Sequence, residues 1–289
     1  MGNVKSGAMR LFWGFPVQTA DWITSLAKLY PTHNVAGKPS VTSHYFIFRA
    51  LNFMTSYIAR LQHLFPHYIE PVPSHITQDD LEFLRSKGVL DFPAPRIRDK
   101  LWTSYFELVH PNLPIPDRDR VLRTLAVHTG EPKISLLLFH CITLSAKTFL
   151  YARQHTLTKP AALESMFTRA RLLYDLGWER DKLVLLQSLL LMTYYPQPID
   201  NARSPIHLMA QAVPLAYSLG FHIDPTDLPL NPREKILRKQ LWWCVYLRER
   251  FLSLDQGSPC IIHDREHDAP MLTRSDFEHI PLCLTRSGN

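Results

Sequence analysis

A chain of 289 residues with 46% hydrophobic side chains is long enough to bury one large core or two small ones. Its 32 Lys and Arg against 26 Asp and Glu leave a net charge of +6, spread along the chain rather than gathered in a block, which argues against a nucleic-acid-binding face. No apolar run approaches the roughly 18 residues of a membrane span, and the four cysteines, Cys141, Cys244, Cys260 and Cys283, are too scattered for a disulfide framework or a C-x-x-C zinc pair.

In chain order, the opening MGNVKS fits the pattern for N-myristoylation at Gly2, although one acyl chain beside Lys5 and Arg10 alone supports only marginal membrane binding. Pro16, Pro31, Gly37 and Pro39 break residues 1–40 into an irregular arm with one helix expected at 22–30. Phe46, Phe53, Met54, Tyr57 and Leu61 recur at helical spacing over 42–63, and Pro66, Pro71 and Pro73 then mark a linker. The expected division is an arm at 1–73, a main domain at 74–279 and a tail at 280–289.

Past the linker, Thr77 and Asp80 read as a capping box opening a short helix that Gly88 closes. Residues 97–109 form an amphipathic pattern with Leu101, Tyr105 and Leu108 inward, followed by the proline-stiffened turn HPNLPIP at 110–116. Helices are expected at 132–153, apolar nearly throughout, and at 160–176, with Leu163, Phe167, Ala170 and Tyr174 inward. Asp181 opens a leucine-rich helix that Pro196 ends; Ser204 and Pro205 start another that Gly220 stops. Alternating β patterns are absent, so the fold class is all-α.

The longest pattern runs over 231–259. Asn231, Pro232 and Glu234 form its N-terminal signature, while Gly257 and Pro259 end it. At about 100° per residue, Leu237, Leu241, Cys244, Leu247, Phe251 and Leu254 fall on one arc, with Trp242 and Tyr246 nearly opposite. Apolar on both sides, this helix is expected to be the buried centre of the domain. Arg248 falls on the apolar arc and needs a partner, expected to be a carboxylate from another element.

Read in series, LWTSYFELVHPNLPIPD, LLQSLLLMTYY, AQAVPLAYSLGFHID, RKQLWWCVYLRERFLSLDQGSPCIIHDREHDAP and SDF resemble the regulatory domain, or middle homology region, of fungal-specific transcription factors. The positions carrying the likeness are His110, Pro111, Pro114, Asp117, Gly220, Trp242, Trp243, Arg250, Gly257, Pro259, Asp276 and Phe277. The resemblance implies an all-helical regulatory domain of a nuclear regulator, with the cytoplasm left open. It implies protein partners, a related transcription factor among them, and a small-molecule effector. DNA contact is expected only indirectly or through a six-cysteine zinc cluster, the one place zinc would enter, which these four cysteines do not make. Glu249-Arg250 stands where the family often has Asp-Arg, and Gly257-Ser258-Pro259 where it often has Gly-Arg-Pro; losing that arginine removes a charge partner for Asp264 or Asp268. The family's domain usually continues past Phe277, so a truncated domain is expected.

The remaining constellations read as structural. His263, Asp264, His267 and Asp268 lie between Pro259 and Pro270, which argues against the helical face a two-histidine zinc site needs, so a polar loop is favoured over a metal-dependent hydrolase. His222 and Asp224 are expected to fix a turn by local hydrogen bonds. With no nucleophile elbow or phosphate-binding loop, no enzyme is expected; the alternative to a transcription regulator is a helical scaffold that does not bind DNA, anchored through Gly2.

Overall fold

The computed structural model describes residues 65–126, 133–153, 161–196 and 204–277. Gly2, the helices expected at 22–30 and 42–63, and the tail lie outside them. Eight α-helices and no β-strand occur among the described residues, so the chain is all-α. It divides into two compact units between Leu90 and Asp91.

In the first unit, α1 (Gln78–Ser86) carries the expected capping box: Thr77 and Asp80 exchange side-chain-to-backbone hydrogen bonds, and Gly88 takes φ 67° after the last turn. Leu81 and Leu84 form its buried face.

The second unit begins with α2 (Pro95–Ser104), which widens into a π-helical turn at Tyr105–Val109. The inward face is therefore Leu101, Trp102, Tyr105, Phe106 and Val109; Leu108, expected inward, is rotated to a half-buried position by the wider turn. After the proline turn comes α3 (Arg118–Ala126), a helix whose charged sequence hid it. Next are α4 (Leu136–Arg153), α5 (Ala161–Asp175), α6 (Lys182–Met192), α7 (Pro205–Ser218) and α8 (Pro232–Gln256), and a 3-10 turn at Arg274–Phe277. On α5 the fourth buried position is Leu173 rather than Tyr174, because the i, i+3 neighbour of Ala170 meets the core and the i+4 neighbour sits at its edge.

The hub is α4. Every residue from Leu136 to Ala146 is buried, and the helix packs against α2, the π turn, α5 and α6. Its polar side chains add no unmet donor: the Thr143 and Ser145 hydroxyls donate to the Phe139 and Ile142 carbonyls of the same helix. From α4 the helices continue in chain order, α6 on α4, α7 on α6 and α8 on α7. The expectation that the long helix is the centre is thus corrected: α8 closes the series. No helix of the described residues is long and apolar enough to cross a membrane.

Candidate functional site

Helix α8 starts and stops as its sequence dictates. The Asn231 side chain accepts from the Glu234 N–H, Glu234 reaches back to the Asn231 N–H, and Gly257 adopts the left-handed φ of 61° that a side chain would strain. The buried face keeps Leu241 and Cys244 of the expected arc but not Leu247, Phe251 or Leu254. Gln240, Leu241, Trp242, Cys244, Val245, Glu249, Leu252 and Ser253 are buried, whereas Leu247, Phe251 and Leu254 are 49%, 62% and 81% exposed. Periodicity located two apolar faces, but α7 covers only one of them.

All six cations of α8 are held within the chain. Arg233 donates to Asp117 at 2.6 Å and Asp119 at 3.2 Å, Lys235 to the Thr226 carbonyl, and Lys239 to both oxygens of Asp276 at 2.7 and 2.8 Å. Arg238 donates to the Leu219 and Gly220 carbonyls and lies over the Phe221 ring. One element earlier in the chain, the same arrangement recurs. Arg248 donates to the Thr193 carbonyl at 2.7 Å and hydroxyl at 2.9 Å, with its guanidinium 4.0 Å from the centre of the Tyr194 ring. Two arginines of one helix therefore cap the carbonyl ends of α7 and α6, where positive charge is favoured, and each stacks on an aromatic just beyond. The carboxylate expected for Arg248 is replaced by a helix end. Replacing Arg248 by Ala is expected to cost about 2–3 kcal/mol, and by Met about 1–2, since Met keeps apolar contact with Tyr194 but no donor. Equal urea midpoints for the two variants would show that contact with Tyr194 contributes nothing.

Residues 258–277 form a strap that runs back along α8. Buried Glu249 accepts from the Ile261 N–H and the Ser253 hydroxyl. Arg250 donates to the Ile262 carbonyl and to Asp264, which also accepts from the Tyr246 hydroxyl at 2.7 Å. Tyr246 and then Arg250 hold the Asp264 carboxyl below its ordinary range. The partner that the missing Gly-Arg-Pro arginine would have supplied thus comes from the helix itself. Further along, the Trp243 indole donates to the Pro270 carbonyl and the Gln240 amide to the Asp276 carbonyl. Ile262 and Ala269 are the buried apolar residues of the strap.

His222 and Asp224 do more than fix a local turn. The His222 carbonyl accepts from the Asp268 and Ala269 N–H groups, and the Asp224 N–H donates to the Asp268 carboxylate, which ties the end of α7 to the strap. His267 lies among the rings of Trp242, Trp243 and Tyr246 at 5.3, 5.6 and 5.4 Å. Asp264, His267 and Asp268 of the HDREHD stretch are thereby directed to separate partners.

The twelve motif positions fall into two groups. Gly220 (φ 68°), Trp242, Trp243, Arg250, Gly257, Pro259, Asp276 and Phe277 belong to α8, the strap and the end of α7. His110, Pro111, Pro114 and Asp117 belong to the proline turn, where His110 Nε2 lies 3.2 Å from the Pro116 carbonyl and the Tyr105 hydroxyl donates to the Ile115 carbonyl. Burial brings the His110 imidazole down to about 4, against the opposing contact with the Pro116 carbonyl. Arg233 joins the two groups through Asp117. Sequence reasoning missed Arg233, Arg238, Lys239 and Glu249; the readable signal was an aromatic just past each of two helix stops, Tyr194 and Phe221, matched by arginines ten residues apart.

The sequence profile described as "Fungal specific transcription factor domain" matches residues 102–282, from α2 to beyond the strap. The chain belongs to the fungal-specific transcription factor domain family. Among curated relatives of this family, the cutinase transcription factor 1 beta of Fusarium vanettenii is 33% identical over 252 residues, 86% of this chain and 28% of the relative. The transcription factor cpaR of Aspergillus oryzae is 34% identical over 220 residues, 74% of this chain and 36% of the relative. An acetamidase regulatory protein of Aspergillus fumigatus is 28% identical over 191 residues, 65% of this chain and 24% of the relative. The chain thus spans about a quarter to a third of the length of these relatives. No solved structure matches it.

Proposed function

We propose that this chain is the regulatory domain of a fungal transcription regulator, that it acts in the nucleus through a protein partner or small effector, and that it is not an enzyme. The family match over α2 to the strap carries this reading. It is supported by the pairing of all six α8 cations inside the chain, which leaves the long helix no set of free cations for a phosphate backbone. DNA contact falls to a partner or to a part of the regulator outside this domain. An effector acts here by favouring one arrangement of α8 and its strap over another. The test is to tether the full chain to a heterologous DNA-binding domain above a reporter in a fungal host, with a fluorescent tag to follow its location. At least a fivefold change in reporter output and nuclear signal are expected; an unchanged reporter with the chain outside the nucleus would sink the reading.

A further inference from the structure

The strap is held to α8 by little apolar surface. Of residues 258–277, Ile262, Ala269 and Asp276 alone are buried, and Asp276 closes the far end by accepting from Lys239 at 2.7 and 2.8 Å. An element with so few buried apolar contacts opens at a cost well below that of the whole domain, so whatever acts on Asp276 acts on the strap. An exposed hydroxyl is joined to it. The Thr273 hydroxyl donates to Asp276 Oδ2 at 3.0 Å, and the Ser275 hydroxyl lies 2.8 Å from the same Thr273 oxygen; because Thr273 has a single proton, Ser275 is the donor in that second bond. Ser275 is exposed, and in the sequence it is followed by Asp276 and, at the third position, by Glu278, an acidic pattern that suits a kinase with a basic substrate cleft. Among the described residues Thr77, Ser104 and Thr273 also have a carboxylate three positions on, but Ser104 is buried and each threonine donates its proton to that aspartate.

We infer that Ser275 is a phosphorylation site and that its phosphate releases the strap. The Ser275 oxygen attacks the γ-phosphorus of ATP, the bond from that phosphorus to the bridging oxygen breaks, ADP leaves with the electron pair, and the hydroxyl proton passes to a carboxylate base of the kinase. The ester carries a charge of about −1.5 to −2 at pH 7. It sits on an oxygen no more than about 6 Å from Asp276 Oδ2, since both contacts run through the same Thr273 oxygen, and like charges at that range repel where water is partly excluded. The ester also has no proton for Thr273, whose own hydroxyl turns to the phosphate and leaves Asp276, while Lys239 is drawn from the carboxylate by the same charge. Each change weakens the pair that closes the strap. A kinase takes its substrate extended, so the site is read from the open strap, and the phosphate then holds it open.

The test incubates the full chain with ATP and an acid-directed serine/threonine kinase of the casein-kinase type and maps the phosphopeptides. Phosphate at Ser275 is expected, absent from Ser275→Ala, and its initial rate should rise about threefold in Lys239→Met, which frees Asp276 and opens the strap. In the phosphorylated chain, hydrogen exchange at the Asp268 and Ala269 amides, which donate to the His222 carbonyl, should quicken about tenfold relative to α4 amides. Ser275→Ala alters an exposed side chain, so its urea midpoint should match the wild type, and its missing phosphate then reports the lost hydroxyl rather than unfolding. A native chain that takes no phosphate at Ser275 overturns the proposal, as does a rate in Lys239→Met no higher than the wild type's. A Ser275 phosphate that leaves strap exchange unchanged, or slows it, overturns it as well, since the group would then decorate or tighten the strap instead of releasing it.

Discussion

Asp276→Ala is expected to cost about 3–5 kcal/mol, because it leaves a largely buried ammonium without its counter-charge. Asp276 is 5% exposed, and both its oxygens accept from Lys239, whose side chain is 16% exposed. The Thr273 N–H and hydroxyl complete the carboxylate's bonding, and the Asp276 carbonyl takes the Gln240 amide, so one residue closes the end of the strap on α8. Asp276→Asn should cost less, since an amide oxygen still accepts from Lys239. Acid provides a second readout. Burial pushes the Asp276 carboxyl up, but Lys239 and Thr273 together hold it below its ordinary 3.8. A carboxyl lower in the folded than in the unfolded chain adds stability that is full above the unfolded value and fades as pH falls through the folded one. His110, lowered from 6.5 to about 4, gives a separate loss as pH falls through that interval. Urea unfolding at pH 7, 5 and 3 should therefore show that Asp276→Asn removes part of the loss below about pH 4 and leaves the earlier one intact. Parallel acid curves for both proteins would refute the depressed carboxyl.

Trp242→Ala should cost a similar about 3–5 kcal/mol, the loss typical of a large aromatic taken from a packed core. Trp242 is fully buried, and its ring meets Tyr217 of α7 at 5.5 Å, His222 of the following turn at 6.1 Å and His267 of the strap at 5.3 Å. Its removal acts at the meeting point of three segments, so the strap should loosen before the domain unfolds. Hydrogen exchange at the Asp268 and Ala269 amides, which donate to His222, should accelerate well beyond that at α4 amides. A loss under about 1 kcal/mol, with unchanged exchange at the strap, would mean that the neighbours collapse into the space.

The helices were legible because their ends are written in local chemistry. Asp181 caps α6 with its own carboxylate, Asn231 and Glu234 cap α8, and Gly88, Gly177, Gly220 and Gly257 all take positive φ beyond a last turn. Each of these needs only neighbours three or four residues away. Ser204 shows how far such a signal reaches: it stands at the expected N-cap of α7, yet its hydroxyl pairs with the His207 ring rather than the helix backbone. What could not be read required knowledge of a distant partner. Leu247 and Leu252 are equally apolar in the sequence, and only the placement of the elements packed on α8 decides that Leu252 is buried and Leu247 is not. Arg248 pointed correctly to a need for a partner, but periodicity on α8 holds no information about where α6 ends.

Because Arg238 and Arg248 are set ten residues apart on one rigid rod, about 15 Å along its axis, α8 behaves as a rack with two teeth. A slide of the rod along its axis shifts both guanidinium-bearing residues in the same direction and by the same amount relative to the carbonyls they cap. The ends of α6 and α7 are therefore read as a pair, and anything that moves α8 along its axis is registered by both helices or by neither.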